Sequence, residues 1–374
     1  MAANCIEMGL VDVVRRQGRA ASNGPPPVHR MGWPRAIHRE RAQGGRRTGS
    51  RLDDPLMTSG ARNDQGAHAR PRAVRGRPRL KAYVRETRGA HRLAELDDEL
   101  GALHAWQLLM SDHNCFTALT SARMRRFWLP PIPGGTPVFM AMGLDDPRPM
   151  RSGVLTSRHT RVIGFDEIDD LRCADVVETL LACGRWLCLL DMVVLVDCVL
   201  HLGLATRDDI EEVIRPRRPG ARRLREALTL ADGRSESVFE TLLRLLHVWC
   251  GIDVVPQHEV VDADGVLVAR VDLWLTGSDS AHEYDGDEHE TAARRVKDRR
   301  RDRKLDRAGV VRRGFTSGDL LHRPVTILED ADRAVGRPHD PARIRVWTSH
   351  LRNSLFTPSG QAAFLRRVAG KGGG

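Results

Sequence analysis

Between Ser237 and Phe315 the hydrophobic period switches from helical to alternating, back to helical, and to alternating again. No other feature of the chain limits its fold as strongly. Ser237 to Cys250 carries apolar residues at 238, 239, 242, 243, 245, 246 and 249, too many for one stripe, and predicts a largely buried helix. Gln257 to Val261 and Val266 to Leu275 read as two strands around an Asp-Ala-Asp-Gly turn. Thr276 to Ser280 then turns into a third strand, Ala281 to Tyr284. A basic helix spans Thr291 to Ala308, and after Gly309 a last strand runs to Phe315. The predicted order is α-β-β-β-α-β.

Strand period decides which side chains of this unit meet. Leu267, Ala269, Val271, Leu273 and Leu275 share one apolar face, and Asp272 lies on the other with Arg270 and Trp274. Glu283 and Asp285 are two apart and share a face of the third strand. Adjacent strands can therefore gather Asp272, Glu283 and Asp285. Three close carboxylates repel unless a cation compensates them, and an oxygen-only set suits Mg²⁺ or Mn²⁺. The D-x₁₀-E-x-D spacing alone fits a solvated polar sheet face better, because acidic residues are common and the spacing is loose.

These residues resemble the PD-(D/E)XK nuclease superfamily, in particular its small Vsr-like (very short patch repair endonuclease-like) domains. The matching words are Ser237-Val-Phe-Glu240, Arg270-Val-Asp272, Glu283-Tyr-Asp285-Gly286-Asp-Glu-His289, Asp298, Gly309 and Phe315, over about a fifth of the chain. The resemblance implies an α/β restriction-endonuclease-like domain over residues 234–330 and a Mg²⁺- or Mn²⁺-dependent endodeoxyribonuclease. Carried over, the catalytic groups are Glu240, Asp272, Glu283, Asp285 and His289, with Asp272, Glu283 and Asp285 as metal ligands. Glu240 also reads as the far end of a capping box begun by Ser237. His289 reads either as a proton relay or as an exposed polar residue. The chain departs from the pattern in two ways. Asp285 stands where the superfamily has lysine, with Lys297 on the next helix as another amine. Arg312 and Arg313 stand in the last strand where relatives carry apolar residues.

Upstream, residues 81–215 predict a mixed α+β region. Apolar residues at 93, 96, 100, 103 and 106 predict a helix over Arg92–Leu109, and Ala118–Trp128 another. Thr136–Met142 and Arg161–Phe165 read as strands, and Ala174–Leu204 as a long helix interrupted near Gly184. Thr206 is a predicted N-cap, with Asp208 and Asp209 in the following turn. Cys115-Phe-Thr-Ala-Leu-Thr-Ser-Ala, Trp128-Leu-Pro-Pro and Pro137-Val-Phe are similar to the AbiEi-like antitoxin region that precedes such nuclease domains in actinobacterial proteins. That resemblance implies a toxin or regulatory partner. Residues 216–233 form a connection with a short helix, Ala221 to Leu230, and residues 331–374 a partly helical C-terminal tail.

Charge is unevenly placed. Residues 1–80 hold sixteen arginines against six acids, and the rest of the chain balances to zero. That segment has ten glycines, seven prolines and no sustained apolar period, and is expected to be a disordered basic tail. Within the body, residues 294–313 concentrate eleven Lys and Arg against three Asp. Fourfold spacing puts Arg295, Arg299, Arg303 and Arg307 on one stripe, the expected contact to DNA phosphates. Seven cysteines without a CxxC pair exclude a zinc ribbon and fit a reducing compartment. The most apolar stretch, Trp186–Leu204, contains Asp191, Asp197 and His201, which excludes a membrane span. A cytoplasmic protein without a membrane partner is expected. Two functions stay open: a metal-dependent DNA endonuclease, or a non-catalytic, antitoxin-like nucleic-acid-binding regulator.

Overall fold

The computed structural model describes residues 70–78, 81–96, 99–146, 151–215, 218–286 and 292–372, with the backbone alone at 292–298 and 371–372. It opens on a three-stranded antiparallel sheet, β1 (Ala73–Arg75), β2 (Tyr83–Thr87) and β3 (Ala90–Leu93), ordered β1-β3-β2. Ordered structure therefore starts before residue 80, and the expected tail at 1–69 lies outside the described residues. The helix predicted over Arg92–Leu109 is shorter: Leu93 ends β3, and α1 runs Glu99–Gln107. Leu93 is buried on a strand that packs against α1, so its apolar side chain falls in phase with that helix without belonging to it.

A second, mixed sheet has five strands: β4 (Cys115–Phe116), β5 (Val138–Gly143), β6 (Val154–His159), β7 (Phe165–Ile168) and β8 (Leu171–Ala174), ordered β6-β5-β4-β8-β7. Helix α2 (Ala118–Met124) follows β4. Leu103, Trp106, Phe116, Met140, Met142, Leu171 and Cys173 form its core. The strand expected at Arg161–Phe165 is displaced: residues 161–164 connect β6 to β7, and Phe165 begins β7. Ile163 is buried there without a ladder partner, which imitates strand alternation.

The apolar stretch after β8 divides into α3 (Val176–Cys183) and α4 (Leu189–His201). The break falls at Gly184, where a Cβ would come within 2.6 Å of the Gly220 carbonyl oxygen. Thr206 and Asp209 form a reciprocal capping box at the start of α5 (Arg207–Ile214), and α6 (Ala221–Leu230) follows. Among the described residues no helix is long and apolar enough to cross a membrane.

The C-terminal unit runs α7 (Val238–Trp249), β9 (Val254–Val261), β10 (Leu267–Leu275), β11 (Ser280–Tyr284), α8 (Ala292–Arg307) and β12 (Val311–Phe315). Its sheet is ordered β12-β11-β10-β9, antiparallel across β9, β10 and β11 and parallel between β11 and β12. A parallel pair needs a crossover, and α8 supplies it. Leu305 of α8 packs on Val260, Val271, Ala281 and Val310. The remaining helices, α9 (Ser317–His322), α10 (Pro324–Ala334), a 3₁₀ turn (Pro341–Ile344), α11 (Arg345–Arg352) and α12 (Pro358–Gly372), return to the rest of the molecule. Residues from Pro71 onward form one compact unit of mixed helices and sheets. Asp191 on α4 ties it together, accepting from the Ser354 hydroxyl and, at 3.1 Å, from the Leu355 N–H.

Candidate active site

Two antiparallel strands set the acidic cluster. Leu273 pairs with His282 and Trp274 with Ala281, and continuing that register sets Asp272 opposite Glu283. Directly opposed residues share a face, so both carboxylates lie on one side of the sheet. The Tyr284 N–H donates to Asp272 Oδ2 at 2.9 Å and fixes its carboxylate. On the other side of β10, the register with β9 sets Gln257 opposite Asp272. Gln257 has a φ of +52°, a left-handed conformation that costs a non-glycine residue free energy and recurs near functional sites. Its side-chain amide donates to Glu240 Oε2 at 2.8 Å.

Glu240 sits in the first turn of α7. Ser237 caps that helix by accepting from the Glu240 N–H at 3.2 Å. The return half of the expected capping box is shifted: the Glu240 carboxylate accepts from the Glu236 N–H at 2.8 Å. Beside it Phe239 stacks on Tyr284, with ring centroids 4.8 Å apart, and joins the helix to the strand that carries Glu283 and leads into Asp285.

The electrostatics divide the cluster in two. Burial, followed by repulsion from Glu240, pushes Asp272 up to about 7, against the Tyr284 N–H and Arg301. Burial also raises Glu240. Glu283, 3% exposed, lies at the cationic end. It accepts from Arg301 of α8 at 2.8 Å and 2.5 Å and from Arg312 of β12, which also binds Asp285. Burial raises Asp285 nonetheless, opposed by Arg312. Burial works against the charge on Arg301 and Arg312, and Glu283 more than offsets it, so both are held more firmly protonated. Asp285 lies against Gly314, where any Cβ would collide with its carboxylate, which accounts for glycine in that strand.

All four predicted carboxylates that fall within the described residues are thus drawn to one region, and His289 lies outside those residues. Two participants escape the sequence reading. Arg312 departs from the expected apolar strand, and its guanidinium bridges Glu283 and Asp285. Arg301 is missed because the fourfold stripe omits it. Leu305, buried among the described side chains of α8, lies four positions on and puts Arg301 on the inward face. Arg299, Arg303 and Arg307 are exposed, and the Arg295 side chain lies outside the described ones.

For the expected Mg²⁺ or Mn²⁺, the donor chemistry fits: carboxylate oxygens only, with Asp272 and Glu240 held up by burial and repulsion that a cation would relieve. The spacing differs from a cage. Among the described residues no group of three His, Cys, Asp or Glu side chains surrounds a common point as metal ligands would. Here guanidinium groups neutralise Glu283. The six described cysteines are free. Comparison of the chain with known proteins found no matching family model, no matching curated protein and no matching solved structure.

Proposed function

We propose that residues 237–315 are a nuclease domain of restriction-endonuclease-like type, which hydrolyses DNA phosphodiester bonds at Asp272, Glu283 and Asp285. The observation that carries this reading is Asp272 opposite Glu283 on adjacent strands, with Glu240 near enough to raise it, inside an α-β-β-β-α-β order. Strongly raised acids in a charged cluster are a mark of functional sites. Asp272, Glu283 and Asp285 would hold a divalent cation only once Arg301 and Arg312 leave Glu283 and Asp285, and the cation would then supply polarisation of a phosphodiester and a lowered pKa of water. The chain's own groups do the rest. Without the cation, burial holds a proton on Asp272 up to about pH 7, and cation binding would displace it. Arg301 and Arg312 carry the planar fork that binds phosphate as readily as carboxylate, and can pass from Glu283 to a DNA strand. Exposed Arg299, Arg303 and Arg307 supply sequence-independent phosphate contacts.

A second reading rests on a specific observation. With both oxygens of Glu283 bound to arginine, the cluster can serve as a structural ion-pair network in a non-catalytic, nucleic-acid-binding regulator. Under it, the α+β region of residues 81–215 would meet a toxin or regulatory partner. Supercoiled plasmid incubated with the protein in Mg²⁺, Mn²⁺ or EDTA separates the two. Nuclease function predicts cleavage that needs the metal and falls at least ~100-fold in Asp272→Ala and Glu283→Ala, with DNA binding kept. Binding without cleavage in either metal selects the regulator. Cleavage at the wild-type rate in Asp272→Ala would sink the site assignment.

A further inference from the structure

A second site lies on other elements. A cleft of about 860 Å³ opens between the start of α4, the start of α6 and the α11–α12 helices. Its lining includes Arg185, Arg222, Arg223, Arg367 and His350, and no Asp or Glu. The residues of the acidic cluster do not line it. We propose that this cleft binds a phosphate-bearing small molecule of nucleotide size.

Charge is the first support. Four guanidiniums line one cleft; among the described residues Glu226 is bonded to Arg222 at 2.9 Å and Arg223 at 2.8 Å, and the buried Asp191 carboxylate attracts Arg367. Arg185 packs over the Trp186 ring at 5.5 Å, and among the described residues no carboxylate is bonded to its exposed guanidinium. A guanidinium without a counter-ion presents its planar fork to an incoming anion. Arg367 is aimed by donating to the Trp186 carbonyl at 2.8 Å.

The backbone adds to this. The N-terminus of α6, ten residues long, borders the cleft with no side-chain cap and no acid in its first turn, whereas the first turn of α4 carries the buried Asp191 carboxylate. Uncapped N–H groups and the positive end of the helix dipole favour phosphate. The wall is closely built: a Cβ at Gly220 would strike the Leu181 carbonyl oxygen, and one at Gly184 the Gly220 carbonyl. The volume falls within the roughly 300–1,000 Å³ of small-molecule sites. His350, which burial and then Arg223 keep from protonating, stacks on Trp249 at 4.1 Å and offers a neutral polar ring for a base or sugar.

The test is calorimetry on the full chain with ATP, pyrophosphate and adenosine as probes. ATP and pyrophosphate should bind saturably, and adenosine at least about tenfold more weakly than ATP. The Arg185→Gln/Arg222→Gln pair should weaken ATP by about tenfold or more, and the matching Lys pair by less. Both side chains are exposed, so the melting temperature without ligand should stay near that of the wild type. Plasmid cleavage should be untouched by the Gln pair, which keeps this outcome separate from that of the nuclease reading. The proposal fails if neither ATP nor pyrophosphate saturates at millimolar concentration, or if the Gln pair leaves ATP binding unchanged. It fails too if a DNA oligonucleotide occupies the cleft where ATP does not.

Discussion

Asp197 and Glu283 are both buried carboxylates bonded to arginine, one joining α4 to α7 and the other on β11. Asp197 takes Arg244 at 2.7 Å, the Thr241 hydroxyl at 2.9 Å, and the Asp232 and Gly233 N–H groups at 2.7 Å and 3.0 Å. Its negative charge meets one positive charge and enough donors for its lone pairs. Around Glu283 the balance differs: Glu240, Asp272, Glu283 and Asp285 face Arg301 and Arg312. Carboxylates outnumber guanidiniums there, and burial, followed by repulsion from Glu240, lifts Asp272 to about 7. A fully partnered buried ion holds two helices together. An over-acidic cluster stores repulsion that a ligand or proton can release, as working sites do.

The contrast breaks first at Asp197. Asp197→Ala leaves Arg244 buried without its charge partner, and should cost about 3–5 kcal/mol in urea unfolding. A cost near that of an ordinary surface change would show that the junction does not rely on this pair. At Asp272 the sign reverses. Its folded pKa is raised, so the native chain binds more protons than the unfolded one between about pH 4 and pH 7. Its contribution is therefore full below that window and lost as pH rises through about 7. Asp272→Asn should match the wild type near pH 4 and exceed it by about 2 kcal/mol at pH 8, allowing for partial exposure. A stability difference that is flat with pH would refute the raised Asp272 carboxyl. The smallest effect belongs to the outer face of α8. Gln at Arg299, Arg303 and Arg307 should change stability by less than about 0.5 kcal/mol. The slope of log affinity for DNA against log salt should fall by about 1 for each of these arginines that neutralises a phosphate. An unchanged slope would assign DNA binding to another surface.

Much of the C-terminal unit is legible along the chain, because strand alternation and turn residues act over a few neighbours. The reading of Val266–Leu275 agrees with β10 to one residue, and the pairing of Asp272 with Glu283 follows from two short strands and their turn. Arg92–Leu109 and Arg161–Phe165 mislead for a common reason. Leu93 and Ile163 are buried by partners from elsewhere, so their apolar character says nothing about the local backbone. The left-handed φ at Gln257 leaves no mark either, since a strained non-glycine residue is held by its surroundings.

By itself the sequence determined where helices and strands run in residues 237–315, and that acidic side chains would gather on one sheet face. Local period dictates both. Tertiary structure alone decided what meets those acids. Arg301 and Arg312 reach Glu283 from 18 and 29 residues away, through the crossing of α8 over the sheet and the parallel register of β12. The basic cleft likewise joins α4, α6, α11 and α12, far apart in the chain. Charge attracts at long range without choosing among 55 arginines. Packing makes that choice, by fixing which guanidinium lies within hydrogen-bond reach once water is excluded.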